Sequence, residues 1–240
     1  MIVFEIKNLN VKFDDSNVLK GINDYISKGE VYCLSGETGS GKTTLLKCMV
    51  GLIFPFSGKI ELYGKNIFRF SQKEMLEYHK NCGFVFQNAA LISNLSIYEN
   101  LSLYYNYHTN LSEKEIYEKV RYFLDYFNFD NDLSLRPACL SIGERMIINI
   151  VRAISHNPEI LFFDNPFASL DISNRKKLKK LILNLKREGK TIVIVSNDPD
   201  VIFDIGDRIA ILYQGSIIEK GNVEEIKNVK DERVKDLLSI

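Results

Sequence analysis

"GETGSGKT", Gly36 to Thr43, lies between an apolar run, "EVYCLSG", and a helical one, "KTTLLKCMVGL". Glycines at both ends of a short loop, followed by a lysine and a hydroxyl residue, suit a backbone that wraps a phosphate. The glycines let N–H groups converge on the anion, and the helix that begins at the loop adds its dipole. Lys42 can reach the β- and γ-phosphates of a nucleotide, and the Thr43 hydroxyl is placed to ligate Mg²⁺. The candidate nucleotide contacts are therefore Gly36, Glu37, Thr38, Gly39, Ser40, Gly41, Lys42 and Thr43, with Thr44 at the helix start.

Two further stretches belong with this loop. The apolar run "ILFFD" carries Asp164 to a strand end, where a carboxylate can hold Mg²⁺ through water. "LSIGE", Leu140 to Glu144, opens the helix "ERMIINIVRAI". Ser141 is a natural N-cap, Glu144 completes a capping box, and Gly143 keeps the helix start uncrowded. Such a helix N-terminus can face a phosphate.

Around these motifs the periodicity alternates. "IVFEIKNLNVKF" has the alternation of an edge strand, and "GKIELYG" with "KNIF" suggests a small antiparallel element around a glycine turn. "CGFVFQ" is a further apolar strand. From about residue 93 the pattern is helical, and Ser112 and Glu115 form a capping pair ahead of a core stripe from Ile116 to Phe127. Strand "EILFFD", helix "SNRKKLKKLILNLKRE", strand "TIVIVS" and a closing hairpin "RIAILYQGSIIEKG" follow. Alternating strands and helices imply a parallel sheet covered on both faces. The expected fold is α/β: a phosphate-loop NTPase core with a mostly parallel sheet, an antiparallel β element and a helical subdomain. The expected organisation is one domain over 1–240, with the helical subdomain at about 90–156 and a short C-terminal helical extension at about 222–240.

Bulk properties narrow the partners. The 240 residues carry 31 basic and 31 acidic side chains, so net charge offers no attraction to nucleic acid, and no nucleic-acid partner is expected. The four cysteines, Cys33, Cys48, Cys82 and Cys139, have no metal-ligand spacing and read as reduced thiols. Glu5 and Lys7 interrupt the opening where a signal peptide needs an apolar run, and no stretch approaches the ~20 apolar residues of a membrane span. A soluble chain is expected, with any membrane role supplied by a partner.

The order of the motifs then resembles one family. The phosphate loop, Gln87 after a strand, "LSIGE", "FFDNP", "SLD" and "IVIVSND" follow the order found in ABC-transporter ATP-binding subunits, over nearly the whole chain. The resemblance implies a head-to-tail dimer, homodimeric or heterodimeric, that sandwiches two ATP molecules with Mg²⁺. Each site would join the phosphate loop of one subunit to the LSxGE helix of the other. It further implies that Phe13 stacks on adenine, that Gln87 senses Mg²⁺ and a transmembrane permease, and that Asp171 lies at the dimer seam. Ser141, Gly143 and Glu144 would face the partner's nucleotide. The subunit would be cytoplasmic, held at the inner membrane by the permease. A finer resemblance lies in "FVFQNAALISNLSIYENLSLYYNYHTNLSEKEI" and "FFDNPFASLD". Both are similar to MlaF-type ATPases, which implies phospholipid transport and an MCE-family lipid-binding partner. Lipoprotein-release ATPases share much of the same frame.

Three positions depart from the family pattern. Ile142 stands where LSGGE has a glycine, Asn165 replaces the carboxylate that polarises the attacking water, and Asn197 replaces the histidine that contacts the γ-phosphate. Asn165, Asn197 and Gln87 are the candidate catalytic residues; Thr43, Gln87 and Asp164 are the candidate metal residues. Binding groups are intact, so ATP binding is expected to survive where hydrolysis is weakened. Two arrangements then stand open: a degenerate subunit paired with a competent one, or a homodimer that hydrolyses slowly.

Overall fold

The computed structural model describes residues 1–14 and 16–239. The first strands, β1 (Ile2–Phe13) and β2 (Ser16–Ser27), run antiparallel. β3 (Val31–Gly36) is buried throughout and leads through the glycine loop into α1 (Lys42–Val50). β4 (Ser57–Leu62) and the two-residue β5 (Lys65–Asn66) return beside β1, giving a four-stranded sheet in the order β2-β1-β4-β5. The opening strand is thus interior and not an edge strand. Its second neighbour, β2, is hard to read because Asn17, Gly21, Asn23 and Asp24, of types depleted in strands, interrupt its buried Leu19, Ile22 and Ile26. "KNIF" keeps only two strand residues before a 3₁₀ turn, where the Asn66 side chain accepts from the Phe68 N–H.

α2 (Gln72–Lys80) and β6 (Cys82–Val85) follow. α3 (Ile97–His108), α4 (Glu113–Tyr126) and α5 (Ile142–Ile154) each start from a reciprocal Ser–Glu capping box, at Ser96–Glu99, Ser112–Glu115 and Ser141–Glu144. Each box satisfies donors that a helix start leaves orphaned. β7 (Ile160–Asp164), α6 (Ile172–Arg187), β8 (Thr191–Val195), α7 (Pro199–Ile205), β9 (Arg208–Tyr213) and β10 (Ser216–Asn222) complete the core. α8 (Val223–Lys227) and α9 (Glu232–Leu238) close the described chain.

The six-stranded sheet runs β10-β9-β3-β8-β7-β6, parallel throughout except for the β9–β10 hairpin. Its strands send successive residues to opposite cores. Val31, Cys33, Leu161, Phe163, Ile192 and Ile194 pack with α3–α9. Tyr32, Leu34, Ile160, Phe162, Val193 and Val195 pack with α1 and the four-stranded sheet. The parallel run leaves the C-terminal ends of β3, β7 and β8 side by side, with Leu34 and Asp164 both in register with Val195. Ligand crevices of open α/β sheets form at such ends.

A buried ion pair ties the two sheets. Arg208 on β9 donates to Asp24 on β2 at 2.5 Å. Asp24 also accepts from the Tyr32 hydroxyl at 2.7 Å and the Tyr25 N–H at 2.8 Å. The charge is therefore buried fully bonded, which keeps its desolvation cost covered.

Candidate functional site

Glycine is required where β3 ends. A Cβ on Gly36, at φ 136°, would lie 1.8 Å from the Leu212 carbonyl of β9, and one on Gly41, at φ 104°, would lie 2.7 Å from Leu19 Cδ2. Between them the loop bends over the Lys42 ammonium, which donates to the carbonyls of Gly36 at 2.7 Å and Glu37 at 2.6 Å. Ser40 Oγ lies 3.4 Å from the same nitrogen. No side chain caps α1, whose N-cap is Gly41, so its first N–H groups point into the loop as anion donors. Burial lowers the Lys42 pKa, and Asp164 and Glu37 push it back.

Across the loop, Thr43 Oγ1 donates to both oxygens of Asp164, at 2.9 and 3.0 Å. Burial raises the Asp164 pKa, opposed by that hydrogen bond and by Lys47 and Lys42. A cavity of about 240 Å³ opens here, lined by Val18, Thr38, Gly39, Gly41, Lys42, Thr43, Thr44, Gln87, Asp164, Asn165, Val195 and Asn197. Asp164 is the one carboxylate among these lining residues. Asn165 has left-handed backbone, φ 51°, where asparagine is one of the few non-glycine residues commonly found. Its loop and the loop of Asn197 share one clamp: Arg175 donates to the Phe167 carbonyl at 3.0 Å and pairs with the Asp198 carboxylate.

The remaining candidates lie outside this cavity. Phe13 ends β1 and is 47 % exposed. Glu37 is exposed, and Gly36 and Ser40 are buried behind the loop. Ser141 and Glu144 spend their side chains capping α5, and Glu144 Oε1 also accepts from Asn131 at 2.5 Å. Gly143 backs onto the next motif, since a Cβ there would lie 3.0 Å from the Ser169 carbonyl. Asp171 caps α6, accepting from the Asn174 N–H at 2.8 Å. Ile142 points to solvent, 65 % exposed. Sequence reasoning missed Val18, an ordinary apolar strand residue, and the clamp residue Arg175, whose partners Phe167 and Asp198 lie 8 and 23 residues away on separate loops.

The model of the ABC transporter family matches residues 19–168, more than half of the chain. The chain belongs to the ABC transporter family. Among curated relatives of this ABC ATPase is the methionine import ATP-binding protein MetN of Campylobacter jejuni, 32 % identical, covering 98 % of this chain and 75 % of its own. The intermembrane phospholipid transport system ATP-binding protein MlaF of Haemophilus influenzae is 31 % identical, covering 98 % and 90 %. Among solved structures, a dimeric post-hydrolysis state of the ATP-binding cassette MJ0796 bound to ADP and Pi superposes with a TM-score of 0.84. It is 28 % identical and covers 92 % of this chain and 98 % of its own. The ABC ATPase is thus an ATP-binding subunit of a transporter, in a family of P-loop NTP hydrolases that dimerise and work with permease subunits.

The residues present fit Mg²⁺-ATP. A hydroxyl and a carboxylate oxygen converge beside the phosphate loop, the hard-oxygen donor set that Mg²⁺ takes together with phosphate and water. Among the described residues no cluster of three or more His, Cys, Asp or Glu offers a different metal site, and no helix is long and apolar enough to cross a membrane.

Proposed function

We propose that this ABC ATPase holds Mg²⁺-ATP in the cavity and turns it over slowly, as the subunit that powers or gates phospholipid transport across a cell envelope. The observation that carries slow turnover is the chemistry of the cavity: its one carboxylate, Asp164, already receives the Thr43 hydroxyl, and Asn165 and Asn197 stand beside it. An amide can orient a water but cannot take its proton, and general-base help is typically worth ~10²–10⁴-fold.

On this reading Thr43, Gln87 and Asp164 hold Mg²⁺, the loop from Gly36 to Thr44 holds the phosphates, and Phe13 stacks on adenine. Asn165, Asn197 and Gln87 take the catalytic positions. Ser141, Gly143, Glu144 and Asp171 lie outside their own chain's cavity, which suits a role toward the partner's nucleotide in a head-to-tail dimer. The subunit sits on the cytoplasmic face of the inner membrane through its permease, with an MCE-family lipid-binding protein as a further partner and no nucleic acid. The lipid assignment is supported by the MlaF relative and by the similarity in residues 84–116.

A second reading, a degenerate subunit that lends its LSIGE helix to a competent partner, is supported by the intact Ser141–Glu144 cap of α5 beside a site that carries asparagine at 165 and 197. Phosphate release by the purified protein beside Asn165→Glu tests slow turnover, and a wild-type rate equal to that of the variant would overturn it. ATP-driven movement of a fluorescent phospholipid, with the chain reconstituted on its permease, tests the substrate. Methionine uptake in place of lipid movement would reassign it.

A further inference from the structure

Beyond Gln87 the chain does something alanine resists. Ala89 and Ala90 are both left-handed, at φ 61° and 43°. An alanine has no side-chain hydrogen bond to ease that conformation, and two in succession persist only where the surroundings impose it. Here α5 imposes it. Arg152 donates through Nη1 to the Ala90 carbonyl at 3.0 Å and through Nη2 to the Ala89 carbonyl at 3.3 Å. Asn149, one turn earlier, donates to the Phe86 carbonyl at 2.9 Å, and its own Oδ1 accepts from Arg152 at 3.2 Å. The two side chains therefore bracket Gln87 from either side by its neighbours' backbone.

The bracket is a costly one. Asn149 is fully buried, and burial lowers the Arg152 pKa with no acidic side chain opposing it. A half-buried guanidinium that meets only carbonyl and amide oxygens, with no carboxylate, pays desolvation without a charge partner. The same helix begins at Ser141 and Glu144, so Arg152 stands roughly 15 Å along a rigid rod from the LSIGE cap.

We propose that Arg152, with Asn149, is a positioning residue: it holds the Ala89–Ala90 turn left-handed and so presents Gln87 to the cavity. The inference rests on the proposed place of Gln87 at the Mg²⁺ site.

The test is the Mg²⁺ dependence of ATP affinity, read by displacement of a fluorescent ATP analogue from the full chain. Gln87→Ala is expected to lose most of the gain that Mg²⁺ gives. Arg152→Lys, which keeps a charge but not the two-carbonyl fork, is expected to lose about 10-fold of it, the scale on which supporting partners of a metal site act. Its Mg²⁺-free affinity and unfolding midpoint should stay near those of the unmodified protein. Adding Ala89→Gly and Ala90→Gly to Arg152→Lys should restore the gain, because glycine adopts the left-handed turn unaided. Full Mg²⁺ dependence in Arg152→Lys, with Gln87→Ala impaired, overturns the positioning role alone; full dependence in Gln87→Ala overturns the metal assignment as well. A loss that the glycines do not restore also overturns it. If Arg152→Lys does not fold, Asn149→Ala reports on the same bracket through the Phe86 carbonyl.

Discussion

The backbone N–H of Asn165 donates to the carbonyl of Val195 at 3.0 Å. That bond continues the β7–β8 register one residue past the Asp164–Val195 pair, and Asn197 lies two residues beyond Val195, where β8 ends. Position 165 is thereby anchored to the strand that delivers position 197. With Arg175 holding Phe167 and Asp198 just beyond, the two asparagine loops form one unit at the mouth of the cavity.

Restoring the missing groups should therefore raise turnover. Asn165→Glu is expected to increase phosphate release at least ~10-fold, since a general base is usually worth ~10²–10⁴. Glutamate is less suited than asparagine to φ 51°, so part of the gain is spent on the backbone. Asn197→His should add to it, and the double variant should exceed either single one. Size exclusion with Mg²⁺-ATP should show a more persistent dimer for the unmodified protein than for the double variant.

Nucleotide binding should divide between two distant side chains. Lys42→Ala should abolish ATP binding in a titration, because it removes the cation at the centre of the loop. Phe13→Ala should weaken ATP by ~1–3 kcal/mol, the usual worth of base–aromatic stacking, and leave tripolyphosphate binding unchanged.

Asp164→Asn should stabilise the Mg²⁺-free protein while removing its response to Mg²⁺. Burial raises the Asp164 pKa, so charging this carboxyl in the folded state opposes folding. Its stability contribution is fully present below the unfolded value of about 3.9 and is lost as pH rises through the raised folded value. At neutral pH the neutral amide should lift Tm, by about 2–4 °C for each kcal/mol recovered in a chain of this size. The advantage should shrink as the buffer is taken towards pH 4. Thermal unfolding at both pH values, with and without Mg²⁺-ATP, checks the sign.

Asp24→Ala should cost about 3–5 kcal/mol in urea unfolding, the usual result of stripping one partner from a buried pair. Glu30, 3.4 Å from Arg208, retains part of the pairing and favours the lower end of that range.

The loop, the strand ends and the cap of α5 were legible because each is written in consecutive residues with local backbone demands. Gly36, Asp164 and Ser141 can be read without knowing what lies across the sheet. The alternation of β1 suggests an edge because strand order depends on a partner, β2, whose polar residues disguise it. Two short helices carry weaker but readable signals: Ser71 and Glu74 box α2, and Asp198 with Pro199 starts α7. The bracket around Gln87 was illegible for a different reason. Arg152 reaches residues 62 and 63 positions away, and its one local hint is a charge inside the apolar run "MIINIVRAI".

The alternation of the central sheet makes it a partition between two independent packing problems. Phe162 and Phe163 are bonded neighbours, both fully buried, yet one fills the core against α1 and the other the core against the helical side. Each, truncated to leucine, would open its void on a different side of the sheet. Adjacent in covalent structure, the two rings should behave energetically as remote sites, their costs adding without coupling.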